Sequence, residues 1–431
     1  MAPVQHRAVA ASLRNLGLMS SSRPNIWYVA HYAGGPGIGR HGRGWYLADN
    51  WREAGAKATV IAASYHHMLD GAQMAGFRQV QGVDYHFLAT PPYHTNGFMR
   101  VVNMLAFTAA FRVMQDELVR THGKPDAIIA SSPHPFTFLA THHLARRVGA
   151  KSIFEVRDLW PASITEIMKV PGWHPLVLLT AAVERFAYKK ADAVVSLLPK
   201  TENYMRERGL TSDRWHYIPN GIVREEKFER PAGTPLFEQV DTWRNEGHMI
   251  VSYTGALGRP NNVDRLLEAM AILKGKNAPV RALIVGRGDV ENDLRRQCAE
   301  MGLTSHVRFF EQVPRGVARA LQESVGAGFI ALRPSPVFRF GISPNKIFDY
   351  MMSGLPVISA IDAGNDIVAD ARCGISVPKG GAMEIASAIA QLADMPLETR
   401  RRLGRNGRIY VERHHDYKLL ARRYIEVLCA S

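Results

Sequence analysis

Lys346 and Asp349 stand three residues apart in the run Ile-Ser-Pro-Asn-Lys-Ile-Phe-Asp-Tyr-Met-Met-Ser-Gly-Leu-Pro-Val-Ile, residues 342–358. Ser343 suits an N-cap, and Pro344 suits a first helical turn, where its missing N–H is no loss. Gly354 and Pro356 punctuate the other end, leaving a helix of about ten residues. A helix start presents unpaired N–H groups and partial positive charge, a seat for a diphosphate. Asn345 and Lys346 fall in that first turn, and Asp349 follows on the same face. A cation for phosphate and a carboxylate for ribose hydroxyls would together hold a sugar nucleotide. The alternative is a capped helix with an exposed Lys–Asp pair.

Other residues offer related chemistry. Gly255 and Gly258, in Tyr-Thr-Gly-Ala-Leu-Gly-Arg-Pro at 253–260, allow close backbone approach to phosphate, and Arg259 adds a planar cation. Gly286 makes a second turn at the same edge. After the first strand comes Ala-Gly-Gly-Pro-Gly-Ile-Gly-Arg-His-Gly-Arg-Gly at 33–44, where Gly37, Gly39 and Gly42 satisfy G-x-G-x-x-G. A dinucleotide site also needs an acid ending the second strand. That strand ends Ala62-Ala63-Ser64-Tyr65, which disfavours it. A loop whose Gly34 and Gly35 bring backbone N–H groups to a donor or acceptor fits better; a plain strand-to-helix turn is the alternative. His134 follows one strand end and Asp158 another, the latter beside Arg157 and Trp160. Arg157 and Asp158 could form a supporting ion pair or contact an acceptor. The doublets at 66–67, 142–143 and 414–415 lack metal-ligand spacing, and no Asp-x-Asp occurs, so no catalytic metal or other cofactor is expected.

These residues need rigid elements behind them. Apolar runs at 26–31, 58–63, 127–131, 152–156, 193–197 and 215–218 alternate with helical patterns, and a second set follows at 249–253, 281–285, 307–310, 328–332, 356–359 and 374–377. This alternation predicts two doubly wound parallel-sheet α/β domains, each with its ligand crevice at the carboxyl ends of its strands. The 431 residues fit two such domains of about 200 residues each. The expected division is a disordered tail at 1–23, a first domain at 24–222, a charged, proline-containing linker at 223–247, a second domain at 248–410 and a C-terminal helix at 411–431 that could pack back on the first domain.

With 46% hydrophobic and 21% charged residues the composition is that of an ordinary globular chain. Three dispersed cysteines point to a reducing compartment. The formal charge of +14 suits nucleic acid, anionic lipid or phosphorylated ligands, but the basic residues are scattered and no nucleic-acid motif accompanies them. The most apolar stretches, 101–111 and 176–183, are shorter than the roughly 18 residues of a membrane span. Flanked by Arg100, Arg112, Lys189 and Lys190, they could instead lie on anionic lipid or be ordinary core helices.

The order of motifs carries more than any one of them. His31-Tyr32-Ala33-Gly34, Phe-Glu-Val-Arg-Asp-Leu-Trp-Pro at 154–161, Pro219-Asn220-Gly221-Ile222, the 255–258 turn and the 343–356 helix together resemble a family 4 glycosyltransferase of the GT-B fold. Within it the chain resembles the bacterial surface-polysaccharide branch that includes N-acetylfucosamine transferases. The resemblance spans 26–424 and implies two Rossmann-like domains facing across a cleft, with a nucleotide-sugar donor, usually UDP-linked. It further implies retention of configuration without a required metal, and a glycan or polyprenyl-diphosphate-linked acceptor at the inner face of the plasma membrane. It casts His134 and Asp158 as catalytic, with Arg157 and Trp160 on the acceptor side. Gly34, Gly35, Asn220, Gly255, Gly258, Arg259, Gly286, Ser343, Asn345, Lys346 and Asp349 fall on the donor side. One position departs: of the two glutamates many members carry seven residues apart, the second matches Asp349 and the first falls on Gly341. A non-catalytic sugar-nucleotide-binding subunit is therefore the competing expectation.

Overall fold

The computed structural model describes residues 23–93, 97–224, 228 and 230–430. The chain divides into two compact units: one runs to Asn220 and regains the chain at Tyr417, and the other is Gly221–Asp416. The tail expected at 1–23 lies outside the described residues apart from Arg23.

In the first unit the strands are β1 (Asn25–Ala30), β2 (Lys57–Ala63), β3 (Gly76–Val80), β4 (Val83–Leu88), β5 (Ala127–Ser131), β6 (Lys151–Val156), β7 (Ala193–Ser196) and β8 (Trp215–Tyr217). They form one sheet in the order β3-β4-β2-β1-β5-β6-β7-β8, parallel except for the β3–β4 hairpin. β1 lies between β2 and β5, so the winding reverses there and opens a crevice between the loops after β1 and β5. Trp27, Val29, Ile61 and Ile128 pack on one face under Phe107, Phe111 and Leu144 of helices Phe98–Val113 and Phe136–Val148. Helix Tyr417–Ala430 packs on Arg43–Glu53, with the Trp51 indole donating to the Ala421 carbonyl at 3.1 Å.

The second unit has β9 (Met249–Thr254), β10 (Val280–Val285), β11 (Val307–Phe310), β12 (Ala327–Ala331), β13 (Val357–Ala360) and β14 (Gly374–Ser376) in one parallel sheet ordered β11-β10-β9-β12-β13-β14. Alternate residues serve opposite faces: Val251, Tyr253, Ala282 and Ile284 enter one cluster, while Ile250, Leu283 and Val285 enter another. That second cluster corrects the expected linker. Pro235–Asn245 is a helix whose Leu236, Phe237, Val240 and Trp243 are all buried, so this helix packs into the core of the second unit. The winding of this sheet reverses between β9 and β12.

Candidate functional site

In the second unit the carboxyl ends of β9 and β10 carry two glycine turns packed backbone to backbone. Gly255 donates its N–H to the Val285 carbonyl at 2.9 Å, and Leu257 donates to Arg287 at 3.0 Å. A Cβ on Gly286 would stand 1.8 Å from the Gly255 carbonyl oxygen, so only glycine permits this contact. Gly258 starts the 3-10 turn Arg259–Asn261, and Arg259 is exposed.

The helix beside these turns is Asn345–Met352, eight residues instead of about ten. Pro344, not Ser343, stands at its N-cap, and no side chain caps its first turn. Proline has no hydroxyl to fold back on the N–H groups, so that turn stays open to an anion. Tyr350 fixes the helix to the sheet: its hydroxyl accepts from the Thr254 N–H at 3.0 Å and donates to the Phe329 carbonyl at 3.2 Å.

Lys346 rises from this helix with its Nζ 3.8 Å from the centre of the Tyr253 ring. Its Cε and Nζ would lie 2.7 and 2.9 Å from a Cβ on Gly255, so the ammonium rests against the glycine turn. Enclosure by protein brings the Lys346 pKa down to about 7, with the Asp349 carboxylate acting in the opposite direction. Asp349 itself faces Arg315, Nη2 to Oδ1 3.6 Å, and Arg319 holds its backbone carbonyl at 2.8 Å. Lys346, Asp349 and both glycine turns are thus brought together, along with Tyr253 and Arg315, which the sequence reading did not single out. Both are ordinary in sequence: Tyr253 reads as a strand residue and Arg315 as the start of an exposed helix.

In the first unit the loops after β1, β2 and β5 bring His31, Tyr32, His66 and His134 together. His31 and His134 have ring centres 5.3 Å apart, and the other ring nitrogen side of His31 is occupied by Asn103. His134 is buried, and neither of its ring nitrogens has a hydrogen-bond partner. Burial, reinforced by the Arg100 charge, pushes its pKa down to about 3, so it is a neutral imidazole at physiological pH. Arg100 donates to the Tyr32 hydroxyl at 2.7 Å and lies over its ring. Expected to flank a lipid-facing helix, it faces this cluster instead.

The glycine loop differs from expectation. Gly34 and Gly35 donate their N–H groups to the His41 and Gly39 carbonyls, both at 3.3 Å, and the Gly34 carbonyl accepts from Tyr85. The loop folds on itself, so these two amides are not presented to a ligand. Arg157 and Asp158 form no ion pair either: Arg157 donates to His41 Nδ1 at 2.9 Å, while Asp158 is exposed. Its carboxyl is nevertheless raised by the surrounding protein, with Arg157 and Arg100 opposing. Trp160, two residues on, is half-buried.

The buried ion pair of this region is one the sequence reading missed. Glu155 binds Arg43 Nε at 2.9 Å and accepts from Ser131, Tyr28 and Tyr424. Burial raises the Glu155 pKa, but Arg43 and these three hydroxyls outweigh it and hold the carboxyl below its usual value. Arg43 also donates to the carbonyls of Ile218 and Pro219, immediately before Asn220, the last residue of this stretch of the unit. Among the described residues no cluster of three or more His, Cys, Asp or Glu side chains could hold a metal ion.

Residues 37–221 match the family described as glycosyl transferase 4-like domain, and residues 248–395 match glycosyl transferases group 1. The chain belongs to the GT-B glycosyltransferases. A relative named as a glycosyltransferase, EpsD of Bacillus subtilis (strain 168), is 27% identical over 237 residues, which are 54% of this chain and 59% of EpsD. The match therefore spans under two thirds of that relative. Sucrose-phosphate synthase from Thermosynechococcus elongatus superposes with a TM-score of 0.69 at 19% identity, over 95% of this glycosyltransferase and 100% of that chain. HepE of Anabaena, solved with UDP and glucose, gives 0.62 at 15% identity over 94% and 99%.

Proposed function

We propose that this glycosyltransferase moves a hexose or N-acetylaminosugar from a UDP-linked donor to a glycan or lipid-linked glycan. It would retain anomeric configuration and need no metal, in surface-polysaccharide assembly of the N-acetylfucosamine-transferase kind. The observation that carries the reading is the seat formed by Lys346, Asp349 and the Gly255 turn at the open start of helix Asn345–Met352. There the diphosphate would meet Lys346, Arg259 and the first-turn amides, and Asp349 would accept from the ribose hydroxyls. The complexes of HepE with UDP support the same donor class. His134, neutral and with both nitrogens unengaged, is suited to hydrogen-bond the transferred sugar. Asp158, Arg157 and Trp160 would contact the acceptor.

A panel of nucleotide sugars tests the donor: the true donor raises the melting temperature by mass action, and its radiolabelled form is then turned over against a lipid-linked glycan. No shift with any nucleotide or nucleotide sugar would overturn the reading. A second reading, a sugar-nucleotide-binding subunit without turnover, is favoured by Gly341 in place of the first glutamate, and binding without turnover would support it.

No helix among the described residues is long and apolar enough to cross a membrane. In helix Phe98–Val113, Met104, Phe107 and Phe111 are buried, which removes that stretch as a continuous lipid-facing surface. Exposed Ile167, Met168, Trp173, Leu178 and Leu179 instead stand near Lys169, Arg185 and Lys189 in the sequence. This stretch would bind the cytoplasmic membrane face peripherally, each basic residue adding about 1 kcal/mol on anionic lipid. Flotation with anionic vesicles at low salt tests it.

A further inference from the structure

We propose that Tyr253 is the positioning residue of the diphosphate seat, its ring carrying the Lys346 ammonium while its hydroxyl fixes the glycine turn. The inference rests on the nucleotide-donor reading of that seat. Tyr253 is fully buried near the end of β9, in the same core as Val251 and Ile284, so the strand and its packing set the ring plane. One face of the ring carries Lys346 Nζ at 3.8 Å, well inside the range of a cation–π contact. The hydroxyl, at the ring's far end, donates to the Ala256 carbonyl at 2.6 Å, inside the Gly255–Gly258 turn. Asn261 donates to the same carbonyl at 3.0 Å. A single side chain therefore determines where the turn lies and where the cation waits.

The surroundings of Lys346 show what this arrangement does. On its own helix it feels the Asp349 carboxylate, while the Tyr350 hydroxyl is held at Thr254; from helix Arg315–Ser324, Arg315 faces that carboxylate and Arg319 donates to the Asp349 backbone carbonyl; from β9 it meets Tyr253. The Asp349 carboxylate is thus shared with Arg315 and only partly balances Lys346, whose pKa burial brings to about 7. An arriving diphosphate supplies the missing negative charge. The neutral fraction of Lys346 takes a proton from solvent as the complex forms: the amine gains one N–H bond, and the buffer loses one proton. Since the pKa of the empty site is lower than that of the complex, affinity is greatest below it and falls as pH rises between the two values. The limiting slope is tenfold per pH unit.

Calorimetric titration of the full chain with UDP is the test, on wild type, Tyr253→Phe, Tyr253→Leu, Lys346→Met and the Tyr253→Leu/Lys346→Met double variant. In parallel, the pH midpoint of amine acetylation at Lys346 is followed by mass spectrometry without ligand. Wild type is expected to take up protons on binding at pH 8 and to lose affinity above pH 7, and Lys346→Met to flatten that profile. Tyr253→Phe, retaining the ring, should keep the acetylation midpoint and the pH profile while affinity drops severalfold. Tyr253→Leu should displace the midpoint, and Lys346→Met should then add less than a twofold loss. An equal cost of Lys346→Met on both backgrounds, or an unchanged midpoint in Tyr253→Leu, overturns the proposal. If Tyr253→Leu fails to fold, Tyr253→Phe decides: affinity equal to wild type overturns it. Absence of UDP binding in wild type with a displaced midpoint sinks the donor reading and leaves the Tyr253–Lys346 contact standing.

Discussion

Asp349 shares its carboxylate with Arg315 at 3.6 Å and stands one turn after Lys346 on helix Asn345–Met352. Hydrogen bonds to a charged group are worth about 1.5–3 kcal/mol, so Asp349→Asn should raise the donor KM roughly 10- to 150-fold with the fold intact. Steady-state kinetics at varied donor concentration measures this, and an unchanged KM makes the residue purely structural. Glu155 is a different case, since no solvent reaches it. Removing its charge leaves the Arg43 guanidinium buried with only carbonyl and hydroxyl partners. The cost of breaking a buried pair is about 3–5 kcal/mol. Glu155→Gln is accordingly expected to lower the melting transition of the first unit by about 10 °C in scanning calorimetry. A transition at the wild-type temperature would show that Arg43 is satisfied without it.

At the scale of elements, the 3-10 turn Pro336–Phe340 ends at Gly341, whose φ of 97° and ψ of 176° lie in a region open essentially to glycine alone. The position where many family members carry a glutamate is here part of a backbone path that a glutamate does not follow comfortably. Gly341→Glu should cost about 1–3 kcal/mol and give no gain in turnover. Paired thermal melts and activity assays check this, and increased turnover would sink it. The same elements show what the sequence makes legible. Parallel strands are buried on both faces, so β1, β5 and β9 read directly as apolar runs. β3 and β4 were missed because Arg78, Gln79, Asp84 and His86 interrupt them, although Gln81-Gly82, both with positive φ, marks a hairpin between Val80 and Val83. Helix Pro235–Asn245 was hidden by its charges, yet Leu236, Val240 and Trp243 keep helical spacing. Lys346 and Asp349 were legible because they share one helix. Arg43 and Glu155 lie 112 residues apart, and no local pattern announces such a pair.

For the whole molecule, buried imidazoles set a pH limit. Burial holds His31, His66, His122 and His134 below the usual histidine value, His66 and His122 to about 4 and His134 to about 3. The unfolded chain protonates these groups near pH 6.5 while the folded chain does not. Stability is therefore complete above pH 6.5 and is lost as pH falls toward 4, at up to about 1.4 kcal/mol per pH unit for each group. Calorimetric melting temperatures should fall between pH 6.5 and 5, with the buried Glu184 carboxyl, raised to about 7, offsetting the contribution of about one histidine. A flat profile over that interval would falsify the assignment of these histidines as neutral.

Helix Tyr417–Ala430 belongs to the first unit, where Tyr424 reaches Glu155 and the Ala421 carbonyl takes the Trp51 indole. On the ribosome those residues emerge after all of Gly221–Asp416. The domain begun first is thus completed last. The intervening Rossmann unit can mature as it is made, while Arg43, Trp51 and Glu155 wait without part of their cover. Nascent chains of this protein consequently pass through a stage in which the later unit is finished and the earlier one exposes an unfilled groove, the stage at which a chaperone would be most useful.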